Sequence, residues 1–104
     1  MLPGLIEIEA FLKEKMNEAK LMATHKRISG PMIQDYYEKL VDGKIPPPIK
    51  VENDIVIEGH HRYTAGMLFG KLPDTIPWTA PLSVEKIFWK DIVVDESDWR
   101  HPKR

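Results

Sequence analysis

Cysteine is absent from the 104-residue chain. This absence excludes a disulfide framework, a thiolate zinc site and any mechanism that needs a thiol. Long apolar runs are also missing, since no segment approaches the roughly 18 residues that a membrane span needs. No basic segment precedes a short apolar stretch, so a signal peptide is not expected either. We therefore expect the protein to act in the cytoplasm and to make no membrane contact, with export as part of a larger protein left open.

Neither sign of charge dominates, because the chain has 15 lysines and arginines and 16 acidic residues, which gives a net charge of -1. Such a balance is unlike that of a protein that coats nucleic acid, since each neutralised phosphate needs a cation. The charges are unevenly spread, however, and the segment from Lys20 to Arg27 is basic without an acid. A nearly neutral protein with such a cluster can still hold a local anion site.

The length predicts one domain over residues 1–104, because two halves would each lie near the lower limit for independent folding. Apolar residues recur every three or four positions from Leu5 to Ala23, which predicts a helix over 5–23. A second helix is predicted from Pro31, which suits a first helical turn, to Asp42, where Gly43 favours a left-handed end.

The middle of the chain carries strand signals. Prolines 46–48 force an extended chain. Ile49–Glu52 and Ile55–Ile57 flank the turn residues Asn53 and Asp54, which predicts a hairpin. A helix ending at Gly70 should follow, then a short strand at 76–79 and strands between 84 and 94, where 84–89 could instead form a helical turn. The fold class is thus α+β: two N-terminal helices, then a small mixed sheet with a turn leading into a helix, and the residues of that turn, described next, favour phosphate binding.

That turn is Gly59-His60-His61-Arg62, between the second hairpin strand and the next helix. A helix N terminus presents unpaired backbone N–H groups and the positive end of a dipole, so it attracts anions. Gly59 lacks a Cβ and would let a phosphate approach the backbone. Arg62 could grip phosphate oxygens with its planar fork, and we expect it to be exposed. The alternative is an ordinary turn with solvated histidines.

The stretch from Pro46 to Gly70, IPPPIKVENDIVIEGHHRYTAGMLFG with Ile45 in front, resembles the core of the ParB/sulfiredoxin superfamily. Its members share a proline-led strand, a short turn, a second strand and a Gly-x-x-Arg turn that opens an alanine-rich helix. The turn is Gly-Glu-Arg-Arg in ParB proteins and Gly-Cys-His-Arg in sulfiredoxins, and both use it to hold nucleotide phosphates. The resemblance covers about a quarter of the chain.

The resemblance carries over to Gly59 and Arg62, which match the fixed ends of the motif, and to His61, which matches the sulfiredoxin histidine. His60 stands where sulfiredoxins have cysteine and ParB proteins glutamate, and it matches neither. Without cysteine the chain cannot reduce sulfinic acids, and it is too short to contain the helix-turn-helix domain of a partition protein. The resemblance thus implies a solitary domain that binds the phosphate of a nucleotide or nucleic acid.

Three functions fit that expectation. The first is a small ParB-like nuclease, which could be the toxic domain of a larger protein, with His60 or His61 as general acid or base and Arg62 stabilising the developing charge. The second is an ATP-dependent phosphotransferase; by analogy with superfamily kinases, Glu58 could then be a general base, although an exposed strand-end carboxylate is the simpler interpretation. The third is a non-catalytic nucleotide-binding module.

Other residues have weaker claims. Adjacent histidines do not form the i, i+4 pair of a helical metal site, so no metal ligands are assigned. One of the two histidines together with an aspartate or a glutamate could still hold a metal, and the cofactor stays open, with Mg²⁺ as a candidate. Lys26 and Arg27 could contact phosphate or simply form a solvated helix end. Of the aromatic residues, Trp78 is the best candidate for stacking on a base, whereas Trp89 is expected in the core.

Overall fold

The structure, a computed structural model, describes residues 12–80 and 84–96. They form an α+β domain with three helices and a mixed sheet, as the sequence predicts. The elements in chain order are the helical residues 12–16 (α1), β1 Met22–Ala23, β2 Arg27–Ser29, α2 Gly30–Val41, β3 Ile49–Glu52, β4 Ile55–Glu58, α3 His60–Phe69, β5 Thr75–Pro77, β6 Ile87–Phe88, a 3₁₀ turn Trp89–Asp91, and β7 Val93–Asp95.

The predicted hairpin lies at the centre of the main sheet. Strands β3 and β4 pair antiparallel around a turn in which Asn53 adopts a positive φ of 53°. Strand β5 adds parallel to β3, and β1 adds parallel to β4 with β6 antiparallel outside it, which gives the order β5-β3-β4-β1-β6. Strands β2 and β7 form a separate parallel pair. The hairpin is thus the part of the sheet from which α3 departs.

The predicted first helix is wrong beyond residue 16. The chain turns there, and Met22–Ala23 form β1 between β4 and β6. The backbone N–H of Met22 donates to the carbonyl of Asp54 at 2.6 Å, and Ala23 is fully buried. Apolar spacing suited to a helix is therefore overruled by pairing with a distant strand. The predicted helical residues 5–11 lie outside the described residues.

Helix α2 confirms the second predicted helix. Ser29 caps its N terminus, with its side-chain oxygen accepting from the backbone N–H of Met32 at 3.3 Å, and Pro31 lies in the first turn. The helix ends before Asp42, and Gly43 follows with a φ of 83°. The apolar face of α2, including Ile33 and Leu40, is buried. Local signals alone specify this element.

The C-terminal part follows the prediction less closely. Strand β5 covers Thr75–Pro77 rather than 76–79. Strands β6 and β7 occur where strands were expected, and the 3₁₀ turn between them places Trp89 in the core. The 3₁₀ turn covers Trp89–Asp91, so the alternative of a helical turn over 84–89 is wrong. Residues 99–104, for which partial disorder was expected, lie outside the described residues.

The core brings α1, α2 and α3 together with the sheet, and it includes Leu12, Met16, Ile28, Ile33, Ile49, Val56, Tyr63, Ala65, Trp89 and Ile92. Helix α3 leaves β4 through a single residue, Gly59. This short connection fixes the N terminus of α3 at the end of a central strand. The predicted turn therefore lies between a central strand and a helix that packs on the core.

Candidate functional site

Gly59 has a φ of 105°, in the left-handed region, and it is the N-cap residue of α3. A Cβ at this position would stand 2.3 Å from Cγ2 of Ile49 and 2.9 Å from Nη2 of Arg62. Both the backbone angle and the close packing against β3 therefore require glycine. This need is structural, and it exists whether or not a phosphate approaches the turn.

The N termini of α2 and α3 adjoin each other at this turn. The backbone N–H of Ser29, the N-cap of α2, donates to Nε2 of His61 in the first turn of α3 at 2.9 Å. Neither first turn contains an acidic residue, and among the described residues no side chain caps α3. Two positive helix ends are thus close together without a local carboxylate in either first turn.

A cleft of about 380 Å³ lies over the turn. It gathers five of the residues singled out from the sequence, Glu58 to Arg62, at one place. Its lining residues are His25, Met32, Tyr36, Ile57, Glu58, Gly59, His60, His61 and Arg62. The turn is therefore accessible, and its size is within the range of small-molecule sites.

Arg62 is not the exposed clamp that the sequence suggested, because its side chain is only 13% exposed. Its Nη2 donates to Oε2 of Glu58 at 2.5 Å and to the carbonyl of Pro48 at 3.3 Å. Its Nε is buried, and it has no hydrogen-bond partner among the described residues. A buried N–H without an acceptor costs about 1–3 kcal/mol. The guanidinium is thus held through Nη2, while the N–H of Nε has no acceptor among the described residues.

His60 is buried, at 2% exposure. Its ring stacks on the rings of His25 and Trp89, and the distances between ring centres are 4.2 Å to His25 and 5.4 Å to Trp89. Its Nε2 accepts from the backbone N–H of Thr24 at 3.0 Å. Burial first, and then the nearby His25 and His61, together lower the pKa of His60 from 6.5 to about 3. His60 is therefore neutral at pH 7 and holds no proton on Nε2 to donate.

His61 has a similar role on the other side of the turn. Its Nε2 accepts from Ser29, as described, so that nitrogen is not available as a base while the contact lasts. The two histidines thus join α3 to the segment 24–29 through two backbone N–H groups. The predicted acid–base roles of His60, His61 and Glu58 stay predictions, and this geometry gives the histidines a structural task.

Lys26 and Arg27 do not line the cleft. Nζ of Lys26 lies 3.5 Å from a carboxylate oxygen of Glu85, and Nη2 of Arg27 lies 3.3 Å from Oδ2 of Asp95. The second of these contacts joins β2 to β7 at the ends of the parallel pair. Their predicted phosphate contacts stay a prediction without geometric support, because exposed ion pairs already engage both cations.

Trp78 also lies away from the cleft, beyond the end of β5, where Nζ of Lys50 sits 4.2 Å from the centre of its ring. Three further residues line the cleft, His25, Met32 and Tyr36, and of these sequence reasoning missed only Met32 altogether. Two of them had a signal in the sequence, since His25 stands in the basic segment from Lys20 to Arg27 and Tyr36 is an aromatic residue at the edge of the apolar face of α2. No spacing in the sequence shows that α2 and α3 adjoin.

Within residues 12–80 and 84–96, no three histidine, aspartate or glutamate side chains come together in a way that could hold a metal ion. None of the helices in this part of the chain has both the length and the apolar character of a membrane span. Comparisons with protein-family models, curated proteins and solved structures find no match to this chain.

Proposed function

We propose that the chain is a ParB/sulfiredoxin-like domain that binds the phosphate of a nucleotide or nucleic acid at the turn from Gly59 to Arg62. The observation that carries the proposal is the buried, unpartnered Nε of Arg62 at a turn where two helix N termini adjoin. A phosphate in the cleft would lie in the favourable field of both helix ends, and a small movement of the buried guanidinium would let a phosphate oxygen accept from Nε.

The order of elements supports the same proposal. A strand led by prolines, a two-residue turn, a second strand, a glycine with positive φ and a helix beginning with His-His-Arg follow one another without interruption. The same order characterises the superfamily that the sequence resembles. Glycine, however, is also required here by contact with Ile49, so this residue alone does not argue for a ligand.

Glu58 sets the strength of the site. Its carboxylate shares Nη2 of Arg62 with the carbonyl of Pro48, and its side chain is about half exposed. It neutralises part of the positive charge and would repel an anion. At the same time it holds the guanidinium in one orientation, so less conformational entropy is lost on binding. Removing Glu58 should therefore change affinity by less than removing Arg62.

Binding has more support than catalysis. A nuclease needs a general base or acid that can exchange a proton with the reacting oxygen. Nε2 of His60 and Nε2 of His61 both accept from backbone N–H groups, and His60 has a pKa near 3. The nuclease and the phosphotransferase thus stay hypotheses behind the binding domain. Digestion of plasmid and RNA by the wild type, with and without Mg²⁺, tests the nuclease, and consumption of ATP with and without an acceptor tests the phosphotransferase.

The binding test uses two-dimensional NMR with inorganic pyrophosphate and ATP as probes. Residues 59–62 should show saturable shifts in the wild type. Arg62→Gln should weaken binding at least tenfold, because the charged fork is lost. Arg62→Lys keeps the charge but loses the planar fork, and it should recover only part of the affinity.

Arg27→Gln is the matched variant, since it removes the other arginine of the described residues. Equal losses in Arg27→Gln and Arg62→Gln would mean that overall charge, and not the turn, governs binding. No shift at residues 59–62 at tens of millimolar pyrophosphate would refute the proposal. The melting temperature of each variant, measured in parallel, separates lost binding from lost folding.

A further inference from the structure

A second cleft, of about 410 Å³, lies between the C-terminal half of α2, the loop that leads into β3, and the start of α3. Each of these three elements contributes one cation to its lining: Lys39 from α2, Lys44 from the loop and Arg62 from α3. The two acidic residues of α2, Asp35 and Glu38, do not line it. The lining of this cleft is thus basic on three sides.

The remaining lining residues of the second cleft are apolar or aromatic. Tyr36 and Leu40 lie one turn apart on α2, so both present to the cleft from the same face of the helix. Ile45, on the opposite wall, is 90% exposed. A large apolar side chain left in water at the edge of a cleft is typical of a surface that another molecule covers.

The loop that carries Ile45 is held at both of its ends. The backbone N–H of Lys44 donates to the carbonyl of Lys39 at 3.0 Å, and Nη2 of Arg62 donates to the carbonyl of Pro48 at 3.3 Å. Between these two points the prolines restrict the backbone angles. The cleft is therefore formed before an occupant arrives, and little conformational entropy is lost in this wall on binding.

The three cations differ in how far a neighbouring carboxylate already neutralises them. Nζ of Lys39 lies 3.1 Å from Oδ2 of Asp35, and Arg62 is paired with Glu58. Lys44 is exposed, and it has no ion pair with any residue of the ranges 12–80 and 84–96. The charge that complements this cleft is thus negative, and Lys44 is the cation most available to it.

We propose that the second cleft is the docking site for an acidic peptide segment of another protein. One large apolar side chain of that segment packs against Ile45 and Leu40, and acidic side chains next to it face Lys44 and Lys39. Burial of the apolar side chain supplies affinity, and the opposite charges supply specificity and faster encounter. This inference does not rest on the proposed function, because it needs no anion at the Gly59–Arg62 turn.

A peptide fits this cleft better than a charged surface or a small anion does. The cations stand on three elements around a concavity, so a flat anionic bilayer could not reach all of them, whereas a chain lying in the cleft can. A small anion would gain nothing from the apolar walls. A segment with both an apolar and an acidic side chain uses both parts of the lining.

The test begins with random dodecapeptides displayed on phage and selected against the purified chain. The enriched peptides should share a large apolar residue flanked by acidic residues. The dissociation constant of the most enriched peptide is then measured for three proteins. Relative to wild type, Ile45→Ser should weaken binding about tenfold, because apolar contact is lost. Lys44→Gln should weaken it about threefold at low salt and less at high salt, because an exposed charge is screened.

Two matched variants control for general effects on the surface. Val41 is 49% exposed at the same end of α2 and lines neither cleft, so Val41→Ser should bind the peptide as the wild type does. Lys71 is exposed and also lines neither cleft, so Lys71→Gln should do the same. Equal losses in Lys44→Gln and Lys71→Gln would mean that overall charge, and not this cleft, governs binding, and would overturn the proposal.

Other outcomes would assign the cleft to a different occupant. Selection that enriches no peptide, or peptides without acidic residues, would overturn the proposal. Binding to phosphatidylserine vesicles that Lys44→Gln abolishes, without an enriched peptide, would point to a membrane. A dimer in light scattering that Ile45→Ser dissociates would point to a second copy of the chain. Pyrophosphate binding, measured in parallel, should be the same in wild type and Ile45→Ser, so the proposed function is tested separately.

Discussion

Acid should destabilise this protein through one buried group, His60. The ring is 2% exposed, its Nε2 accepts from Thr24, and its pKa falls from 6.5 to about 3 in the folded state. The unfolded chain therefore binds a proton below about pH 6.5 that the folded chain does not bind until about pH 3. Stability is fully present above pH 6.5 and is lost as the pH falls from that value towards 3.

The size of this effect follows from proton linkage, which converts each pKa unit into about 1.4 kcal/mol. Between pH 7 and pH 5, the neutral ring of His60 should contribute a loss of about 2 kcal/mol in the free energy of unfolding. This interval lies above the usual pKa of aspartate and glutamate, so carboxylates add little to the loss. In a domain of this size such a loss lowers the melting temperature by roughly 8–16 °C.

The assay is urea unfolding followed by tryptophan fluorescence at pH 7 and pH 5, in wild type and in His60→Gln. The glutamine keeps an acceptor for Thr24 but does not titrate. The difference in the free energy of unfolding between wild type and His60→Gln should therefore be about 2 kcal/mol smaller at pH 5 than at pH 7. His25→Gln, which replaces an exposed histidine, should retain most of the difference that the wild type shows in the free energy of unfolding between pH 7 and pH 5. Equal pH dependence in wild type and His60→Gln would refute the reasoning. Should His60→Gln not fold, an NMR titration of the wild-type ring settles the same point, since protonation above pH 5 would contradict it.

Two substitutions test the packing around the turn. Gly59→Ala should lower the free energy of unfolding by at least about 3 kcal/mol, because the new Cβ would stand 2.3 Å from Ile49 and the residue has a positive φ. Gly43→Ala, at a positive φ with nothing within 4 Å, should lower it by only about 1 kcal/mol, and equal losses in the two variants would contradict the close packing. Trp89→Phe should cost about 1–3 kcal/mol, because Trp89 donates from Nε1 to Oγ1 of Thr64 at 3.2 Å inside the core; chemical denaturation that shows no loss would mean this bond contributes nothing.

The site combines two tasks in the same few residues. His60 and His61 accept the backbone N–H groups of Thr24 and Ser29, which holds the chain before α2 against the start of α3. That connection is what places two helix N termini side by side. Substitution of either histidine should therefore disturb ligand binding indirectly, so loss of function in such a variant is not by itself evidence of catalysis.

Several elements could be predicted because their causes are local. The proline run, the Asn53–Asp54 turn and the β-branched residues around it specify the hairpin. Ser29 and Gly43 mark the ends of α2, and Gly59 marks the start of α3. Each of these signals acts over a few residues, through allowed backbone angles and side-chain caps, so the sequence alone determines them.

Only the tertiary structure decided the rest, because the causes lie far apart in the chain. Met22 pairs with Ile55, which turns the end of a helical pattern into a strand. Spacing of side chains carries no information about such a distant partner. The same holds for the chemistry of the site, since burial and the nearby His25 and His61 lower the pKa of His60. A pKa depends on the solvent and charge around a ring, and those exist only once the chain has folded.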